Sequence, residues 1–276
     1  MTIQQFRALS VERLAAVADD AVFETEQILR TKLGMSAHDV LLARREELTE
    51  DKLTILEDAV GRRLAHEPLQ YICGEWDFFG LRMFCGEGCL IPRPETEMLS
   101  ELAIRHLPRG GRLLDLCTGS GCITVSVLNN RHDVTATAID ISPEALAYAR
   151  KNADYHGVTD RVNFIEGDII DYRGVEIPDV IVSNPPYIKT DDIPSLSEEV
   201  RHEPYIALNG GHDGLDMYKV IAAKYHKCVP EKGHIFLEVG YDIGEEVAAI
   251  FRAKHFNVEL LTDPFGIERV CHAFWG

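Results

Sequence analysis

The amino-acid sequence predicts a two-part α/β protein, in which a small N-terminal helical bundle precedes a doubly wound, mostly parallel sheet. Three observations support this prediction. Apolar residues repeat at helical spacing near the N-terminus, strand and helix patterns alternate from about residue 112 onward, and a glycine-rich turn follows the first of these strands. Alternating strands and helices are typical of parallel sheets that helices cover on both faces. The length of 276 residues accommodates two domains of ordinary size.

The first part, residues 1–84, is predicted to be helical and to end in a short hairpin. Apolar residues recur at three- and four-residue steps between Asp51 and Ala65, which indicates one face of a helix. An earlier helix is predicted from about Asp19 to Leu33, ending at Gly34. Helices this short are stabilised by packing, so we expect a small bundle. Aromatic residues alternate with glycines between Tyr71 and Leu90, and this pattern favours the hairpin.

Residues 85–97 are predicted to join the two parts, because the prolines of the segment Ile91-Pro92-Arg93-Pro94-Glu95-Thr96-Glu97 block regular structure. The second part, residues 98–276, contains the alternating pattern. Its strands are predicted at 113–116, 134–140, 162–165, 180–183 and 235–239, with helices at 122–130 and after residue 142. The last two strands, 258–262 and 268–274, are too close together for a helical crossover, so we expect an antiparallel hairpin.

The charge balance argues against a nucleic acid as the main partner. Lys and Arg total 28, whereas Asp and Glu total 45, which gives a formal net charge of −17. Proteins that bind nucleic acids usually carry a basic surface. No apolar stretch has the length of a membrane span, and the N-terminus lacks the pattern of a secretory signal. We therefore expect a cytoplasmic protein that binds neither membranes nor nucleic acids directly.

The cysteines and histidines show no pattern typical of a metal site. Cys85 and Cys89 are close in sequence, but no second pair with the spacing of a zinc finger follows. An odd number of cysteines, seven, favours reduced thiols in a cytoplasm. The eleven histidines lack metal-ligand spacing, and we interpret them as surface or packing residues. The sequence therefore predicts no metal.

A glycine turn follows the first strand of the second part, at the position where doubly wound sheets bind their ligands. The turn comprises Cys117, Thr118, Gly119, Ser120 and Gly121. Its glycines allow the backbone to approach a ligand closely. Asp140 ends the next strand and can accept hydrogen bonds from both hydroxyls of a ribose. The turn therefore favours an adenosine-containing cofactor, although similar turns also serve as plain connections.

Two features favour S-adenosylmethionine over a dinucleotide. Thr124 occupies the position at which a dinucleotide fingerprint has its third glycine. Asp115, just before the turn, would repel a pyrophosphate and attract the sulfonium and ammonium groups of S-adenosylmethionine. Asp168, predicted at the end of the third strand, can accept a hydrogen bond from the adenine amino group. A turn or cap role for Asp168 is nearly as compatible with the local sequence.

The most specific motif is Asn184-Pro185-Pro186-Tyr187, which follows the fourth strand on the same rim as the glycine turn. A planar nitrogen is hard to methylate because resonance delocalises its lone pair. The side-chain oxygen of Asn184 and the carbonyl of Pro185 can hold both N–H hydrogens in the transition state, while Tyr187 stacks on the group. A glutamine amide and an adenine amino group both fit this chemistry, whereas an ordinary loop with two prolines is the simpler alternative.

Together these motifs resemble the family of peptide-chain-release-factor glutamine methyltransferases. The resemblance further includes Glu67 to Gly74, Ile91 to Glu97, Glu199-Val200, Glu203-Pro204, Gly210-Gly211, Asp213 to Asp216 and Gly266 to Val270, and so covers nearly the whole chain. It implies a seven-stranded sheet of the class I S-adenosylmethionine-dependent methyltransferase type. It also implies methylation of the glutamine in the Gly-Gly-Gln tip of class I release factors.

The resemblance assigns roles to residues of this chain. The turn from Cys117 to Gly121 and Asp140 would bind S-adenosylmethionine, and the motif from Asn184 to Tyr187 would bind the target glutamine. Asn184 would also lie near the methionine part of the donor. Arg93 would help to close the floor of the pocket, although a structural salt bridge is equally compatible. The N-terminal bundle would contact the release factor outside its tip, and we expect a monomer.

Three positions depart from the family pattern. Cys117 stands where the family commonly has glycine, so its backbone is expected either to avoid positive φ or to be strained. Cys122 replaces a smaller residue, and we expect no effect. Tyr205 stands where the family often has arginine, which leaves the local salt bridges open.

Other functions remain open at this point. A related enzyme could methylate a glutamine of another translation protein, such as a ribosomal protein, because both present the same amide. A DNA adenine methyltransferase would need a basic surface that the net charge of −17 argues against. A non-catalytic scaffold that binds adenosine would have no need of Asn184 and Tyr187.

Overall fold

The computed structural model describes residues 1–172, 174 and 177–275, so positions 173, 175, 176 and 276 of the predicted second part lie outside this description. Contacts between residues divide the chain into two units. The first unit contains residues 1–76 together with the short segment 197–202. The second unit contains residues 77–196 and the chain from residue 203 onward.

The first unit is a helical bundle. Its described helices are α1 (Ile3–Leu14), α2 (Ala21–Leu33), α3 (Ala37–Leu42), α4 (Glu50–Leu64) and α5 (Leu69–Cys73). The two helices predicted from the sequence are confirmed as α2 and α4. Gly34 ends α2 with φ of 63°, a conformation that glycine adopts without strain. Buried apolar side chains such as Phe6, Ile28 and Leu56 form the core of the bundle.

A buried arginine holds the segment 197–202 to this bundle. The side chain of Arg63 on α4 is only 2% exposed. Its guanidinium donates hydrogen bonds to the carboxylate of Glu24 at 2.6 and 3.1 Å and to the carboxylate of Glu199 at 2.6 Å. A buried guanidinium needs such partners because burial removes its hydration. The segment therefore belongs to the first unit although it lies far away in sequence.

The second unit contains the predicted doubly wound sheet. A hairpin of β1 (Glu75–Phe78) and β2 (Leu81–Phe84) precedes it in sequence, and the first two residues of β1 belong to the first unit. The sheet itself consists of β3 (Arg112–Leu116), β4 (Thr135–Asp140), β5 (Val162–Glu166), β6 (Val180–Ser183), β7 (His234–Glu238), β8 (Asn257–Thr262) and β9 (Glu268–Phe274). The order is β5-β4-β3-β6-β7-β9-β8 in the described chain. Among the described residues, β9 is the one strand that runs opposite to the other six, so the predicted mostly parallel, seven-stranded sheet is confirmed.

Helices cover both faces of the sheet. They are α6 (Glu97–His106), α7 (Cys122–Asn130), α8 (Pro143–Tyr155), α10 (Asp216–Lys224) and α11 (Gly244–Arg252), and a single-turn helix, α9 (Tyr205–Leu208), lies in the connection between β6 and β7. Two separate apolar clusters fill the space between the helices and the two faces. In the part of the chain described, no helix combines the length and apolar character that crossing a membrane requires.

The topology places several carboxyl-terminal strand ends side by side. Leu116 at the end of β3 lies beside Ser183 at the end of β6, and Asp140 at the end of β4 lies beside Glu166. The strand order reverses between β3 and β6, because the chain continues from β3 to β4 on one side and returns to β6 on the other. Open α/β sheets bind their ligands at such a reversal.

Candidate active site

A cavity opens at this reversal of strand order, and we call it the rim cavity. Its volume is about 200 Å³, and its mouth opens to solvent. The predicted site residues that line it are Arg93, Cys117, Thr118, Gly119, Ser120, Asp140, Asp168, Asn184 and Pro186. The structure therefore brings most of the predicted cofactor and substrate residues into one place. Asp115, Gly121, Pro185 and Tyr187 are not on its wall.

Asp140 fixes the glycine turn to the end of β4. Its Oδ2 accepts a hydrogen bond from the Gly119 N–H at 2.7 Å, and its Oδ1 accepts one from the Ser142 N–H at 2.9 Å. Burial raises the pKa of Asp140, although these backbone hydrogen bonds oppose the shift. A carboxylate oxygen can accept a second hydrogen bond, so both oxygens retain capacity for ribose hydroxyls.

The two glycines of the turn have different functions. Gly119 has φ of 57° and open space around it, and it lines the rim cavity. Gly121 has φ of 73°, and a Cβ there would lie 3.0 Å from the Cβ of Ala149 on α8. Gly121 therefore allows α7 and α8 to pack closely instead of contacting a ligand.

Cys117 adopts φ of 59°, the left-handed conformation that favours glycine. The expectation that the Cys117 backbone avoids positive φ is therefore wrong, and the alternative expectation, that this backbone is strained, applies. The strain costs about 1–2 kcal/mol for a residue with a Cβ. Burial and the nearby carboxylates of Asp140 and Asp115 raise the pKa of the Cys117 thiol. The thiol is therefore neutral and unsuited to act as a nucleophile.

Asp115 is fully buried beneath the turn instead of facing the rim cavity. Its Oδ2 accepts hydrogen bonds from the hydroxyls of Thr118 at 2.6 Å and Thr124 at 2.7 Å. Its Oδ1 has no hydrogen-bond partner within the described residues. Burial raises the pKa of Asp115 to about 6, while the two hydroxyls lower it. Asp115 thus orients Thr118, and the predicted direct contact with the cofactor stays a prediction.

Asp168 lines the rim cavity, as a role in adenine binding requires. Its Oδ1 also accepts a hydrogen bond from the Ile170 N–H at 2.8 Å. Both interpretations of the sequence therefore remain compatible with its position. Apolar side chains complete the wall nearby, namely Leu90, Ile141, Ile169, Ile170, Ile206 and Met217. Apolar residues at such isolated positions had no signal in the sequence, whether they lie in loops or, like Ile206 and Met217, in helices α9 and α10.

Asn184 lies on the wall of the rim cavity and is connected to a buried carboxylate. Its Nδ2 donates to the Thr96 Oγ1 at 3.1 Å, and the Thr96 hydroxyl donates to the Glu238 Oε2 at 2.5 Å. Glu238, at the end of β7, is only 3% exposed. Burial raises the pKa of Glu238 to about 7, although the hydrogen bond from Thr96 opposes this shift. Sequence patterns predict no role for Thr96 or Glu238, and the proline-containing segment that includes Thr96 is the one signal nearby.

Tyr187 is not among the residues that line the rim cavity. Its ring packs beside the apolar cluster under β7, and its hydroxyl donates to the Glu238 Oε1 at 3.3 Å. Burial and the charge of Glu238 raise the pKa of Tyr187. The ring is therefore a neutral supporting group in this structure, and its stacking on a target stays a prediction. Pro185 likewise lies off the cavity wall.

Arg93 combines the two roles that the sequence left open. It lines the rim cavity and forms an ion pair with the carboxylate of Glu203. The Glu203 side chain is 1% exposed, and its Oε2 accepts a hydrogen bond from the Ile91 N–H at 2.9 Å. Glu203 thus holds the proline-containing segment at two points, a role that the family pattern alone does not predict.

The backbone of Tyr187 is enclosed by a glycine-containing loop. A Cβ on Gly210 would lie 2.6 Å from the Cα of Tyr187, and a Cβ on Gly214 would lie 2.5 Å from its carbonyl oxygen. Ile188 donates its N–H to the Leu208 carbonyl at 2.9 Å and accepts from the Gly210 N–H at 2.8 Å. The loop therefore holds the end of the Asn-Pro-Pro-Tyr motif in place.

Comparison with known proteins gives consistent matches. Residues 5–74 match the family model "PrmC N-terminal domain", and residues 94–203 match "Methyltransferase small domain". The chain is 39% identical to the release factor glutamine methyltransferase of Thermodesulfovibrio yellowstonii over 83% of this chain and 84% of that protein. It is 37% identical to the protein of the same name from Geobacter sulfurreducens over 91% of this chain and 89% of that protein.

A solved structure also matches. It is the protein-(glutamine-N5) methyltransferase (release factor-specific) from Alicyclobacillus acidocaldarius subsp. acidocaldarius, which is 32% identical to this chain. The match covers 70% of this chain and 99% of that chain, with a TM-score of 0.42.

Proposed function

We propose that this chain, which belongs to the family of release factor glutamine methyltransferases, methylates the side-chain amide of a glutamine in a class I release factor. S-adenosylmethionine would be the methyl donor. The observation that carries the proposal is the position of Asn184, which shares one cavity with the glycine turn and Asp140. The side chain of Asn184, which can accept from a planar N–H₂ group, and the proposed adenosine site at the glycine turn thus lie in the same cavity.

The residues of the rim cavity fit S-adenosylmethionine. Its charged wall residues among those described are Asp140, Asp168 and Arg93, and Arg93 is paired with Glu203. This balance suits a cationic ligand and disfavours a pyrophosphate. Asp140 and Asp168 would hold the ribose and adenine, and the backbone of Gly119 would lie against the ligand. When bound, S-adenosylmethionine supplies a methyl group on a positively charged sulfur.

The chain itself positions the target amide. The N–H₂ of Asn184 donates to Thr96, which leaves its Oδ1 to accept an N–H of the target. The Pro185 carbonyl is the proposed second acceptor, and the proline ring limits its movement. These acceptors favour the transition state, because the target nitrogen becomes more acidic as it acquires the methyl group.

No strong base is needed for this chemistry. In the described part of the chain, neither a lysine nor a histidine lines the rim cavity. The Cys117 thiol on the wall is neutral because burial raises its pKa. We therefore propose that the proton leaves to solvent after methyl transfer, and that positioning of the amide supplies most of the rate.

The proposal extends to the partner and the location. The two relatives described above are named for release factors, and release factors act in the cytoplasm, so we propose a cytoplasmic protein. The helical first unit would contact the release factor outside its glutamine tip, and the chain would act as a monomer. A glutamine of another translation protein is the second candidate, because its amide is chemically the same.

Methyl transfer from labelled S-adenosylmethionine tests the proposal. The purified chain is incubated separately with a class I release factor, with its Gly-Gly-Ala variant, with ribosomal proteins and with duplex DNA. We expect label on the native release factor alone. Equal label on the Gly-Gly-Ala variant, or preferential label on ribosomal proteins or DNA, would contradict the proposed substrate.

A further inference from the structure

Three histidines meet at the end of β7 that lies away from the rim cavity. His234 is the first residue of β7, His272 lies on the neighbouring strand β9, and His106 ends α6. One ligating nitrogen of each lies within 4.8 Å of the others. The ring centroids are 4.6 Å apart for His106 and His234, 5.2 Å for His234 and His272, and 5.5 Å for His106 and His272.

We propose that His106, His234 and His272 bind a divalent transition-metal ion, for which Zn²⁺ is the best-suited candidate. Imidazole nitrogens suit Zn²⁺, and three of them with one open position form a common tetrahedral set. Two nitrogens that each lie about 2.05 Å from a tetrahedral zinc are about 3.3 Å apart. The Nδ1 of His234 and the Nε2 of His272 are 3.0 Å apart, so small ring rotations suffice for this pair.

Groups outside the cluster orient two of the rings. The Nδ1 of His106 lies 2.9 Å from the Leu102 carbonyl, and the Nδ1 of His272 lies 3.4 Å from the Glu259 carboxylate. A carbonyl or carboxylate on one nitrogen holds the proton there and leaves the other nitrogen free to bind metal. Both rings thus present Nε2 to the cluster.

Packing alone is the competing explanation. A hydrogen bond between His234 and His272 needs one protonated nitrogen and one acceptor, and it gives no function to His106. Burial lowers the pKa of His272 to about 3 and that of His234 below its usual value, so both rings are neutral, which is the form that binds metals. The carboxylate of Glu259 would partly balance the charge of the ion.

Metal titration of the chain, prepared without a histidine tag, tests this site. Zn²⁺ is added in calorimetry, and Co²⁺ is added while the visible absorption of tetrahedral cobalt is followed. We expect one equivalent to bind, His106→Ala and His272→Gln to weaken binding at least about tenfold, and His132→Gln, an exposed histidine elsewhere, to leave it unchanged.

The site would be contradicted by a lack of stoichiometric binding to the native chain, or by equal weakening in His132→Gln. Because His272 is buried, its variant is compared with the native chain by thermal unfolding without metal. His106→Ala removes a partly exposed ring and serves as the milder second variant. If both variants fold and still bind one equivalent, the three histidines are packing residues.

A second inference follows from the hydrogen-bond directions behind Asn184, and it rests on the proposed function. An ionised Glu238 can only accept hydrogen bonds. The Thr96 hydroxyl therefore donates its single proton to Glu238, at an oxygen–oxygen distance of 2.5 Å. The oxygen of Thr96 is then limited to accepting. Asn184 must therefore present its N–H₂ to Thr96, which directs its Oδ1 away from that contact.

We infer that Glu238, acting through Thr96, is a positioning residue that keeps the oxygen of Asn184 available to the target amide. A protonated Glu238 would donate to Thr96, and the Thr96 proton would then be free to donate to the Oδ1 of Asn184. The Asn184 amide would then rotate, so that its N–H₂ group faces the N–H₂ group of the target. Both groups are donors, so no hydrogen bond could form between them. Turnover should therefore require the ionised form of Glu238.

Several groups face Glu238 and influence its charge. Tyr187 donates to its carboxylate, Glu95 disfavours its ionisation and Arg269 favours it. The Tyr218 hydroxyl donates to its main-chain carbonyl at 2.7 Å. The Cys122 thiol, whose pKa burial raises to about 12, is neutral. Glu238 is thus the group of this set that ionises near neutral pH.

The pair Thr96→Val and Thr96→Ser tests the inference. Valine keeps the shape but removes the hydroxyl, so we expect kcat to fall about 10- to 100-fold, with little change in KM or in the Kd for S-adenosylmethionine. Serine should recover most of the lost kcat. The kcat of the native chain should rise with pH through about 7, following Glu238, and Thr96→Val should lose this dependence.

A structural role alone would lower the thermal midpoint of Thr96→Val and leave kcat and its pH profile intact, which would overturn the inference. The side-chain N–H₂ of Asn184, followed by NMR, gives a readout that does not depend on activity. We expect slower hydrogen exchange in the native chain than in Thr96→Val. If the native chain shows this slower exchange but does not methylate glutamine, only the proposed function is contradicted. If the native chain and Thr96→Val exchange at equal rates, the positioning role of Glu238 and Thr96 is contradicted.

Discussion

The two sides of the rim cavity are built in different ways. On the cofactor side, Asp140 accepts from the backbone of Gly119, 21 residues away in sequence. On the amide side, Asn184 reaches Thr96 across 88 residues, and Thr96 reaches Glu238 across 142 residues. The first side depends on a local turn and its backbone groups, whereas the second depends on side chains from distant segments. Substitutions on the cofactor side should therefore affect mainly cofactor binding, and substitutions on the amide side should affect mainly turnover.

Asn184→Ala should give the largest effect and separate the two sides most clearly. It removes the acceptor for the target amide and leaves the contacts of Asp140 and the turn intact. We expect kcat to fall about 10²- to 10³-fold, as for the loss of one transition-state hydrogen bond. The Kd for S-adenosylmethionine, measured by calorimetry, should stay within several-fold. Equal losses in kcat and cofactor binding would show that the two sides are not separable.

Asp140→Ala should give the reverse result. Without its carboxylate, the ribose acceptor and the hydrogen bonds to Gly119 and Ser142 are lost. We expect the Kd for S-adenosylmethionine to rise about 10- to 100-fold, because hydrogen bonds to charged groups contribute about 1.5–3 kcal/mol. Turnover at saturating cofactor should fall much less. Asp140→Asn keeps one acceptor and should be intermediate, and an unchanged Kd in both variants would refute the assignment.

The same difference explains what the sequence could predict. The sheet, the glycine turn and Asp140 follow from short patterns, and the structure confirms the sheet and places the turn and Asp140 on the cavity wall. The Asn-Pro-Pro-Tyr motif predicted the position of Asn184. The buried location of Asp115 and the orientation of Tyr187 depend on tertiary packing, which a motif does not specify.

The residues that the sequence left without a role lie far from their partners along the chain. Glu238 ends an apolar strand, and nothing near it in sequence indicates that Thr96 is its neighbour. The three clustered histidines come from α6, β7 and β9, so their spacing resembles no metal motif. The alternation of strands predicts that helices connect them, but it does not predict where α6, α10 and α11 begin and end.

Glu238→Gln tests the amide side through stability instead of turnover. The folded-state pKa of Glu238, about 7, lies above its usual value. The protonated carboxyl of Glu238 therefore stabilises the fold fully below the usual pKa of a glutamate, and this stabilisation is lost as the pH rises through about 7. We expect the free energy of unfolding of the native chain to fall between about pH 5 and pH 8, and Glu238→Gln to reduce this fall.

Urea unfolding at both pH values measures this effect. Glu101→Gln, on an exposed position of α6, is the control and should keep the fall seen in the native chain. An equal fall in Glu238→Gln and in the native chain would mean that Glu238 does not titrate in this range.

Cys117→Gly should give the smallest effect and tests the cofactor side. Glycine adopts the positive φ of this position without strain, so we expect the free energy of unfolding to rise by about 1 kcal/mol. Cys117→Ala removes the thiol but keeps the Cβ, and it should show no such gain. Urea unfolding of both variants measures the difference. A gain in both, or in neither, would show that backbone strain is not what distinguishes this position.

A structure of the chain with a release factor and S-adenosylhomocysteine tests the central claim most directly. The distances to measure run from the side-chain nitrogen of the target glutamine to Asn184 Oδ1 and to the Pro185 carbonyl oxygen. We predict that both distances are about 2.7–3.2 Å and that the N–H₂ of Asn184 still donates a hydrogen bond to Thr96. A target glutamine outside the rim cavity, or one that accepts a hydrogen bond from Asn184, would contradict the account.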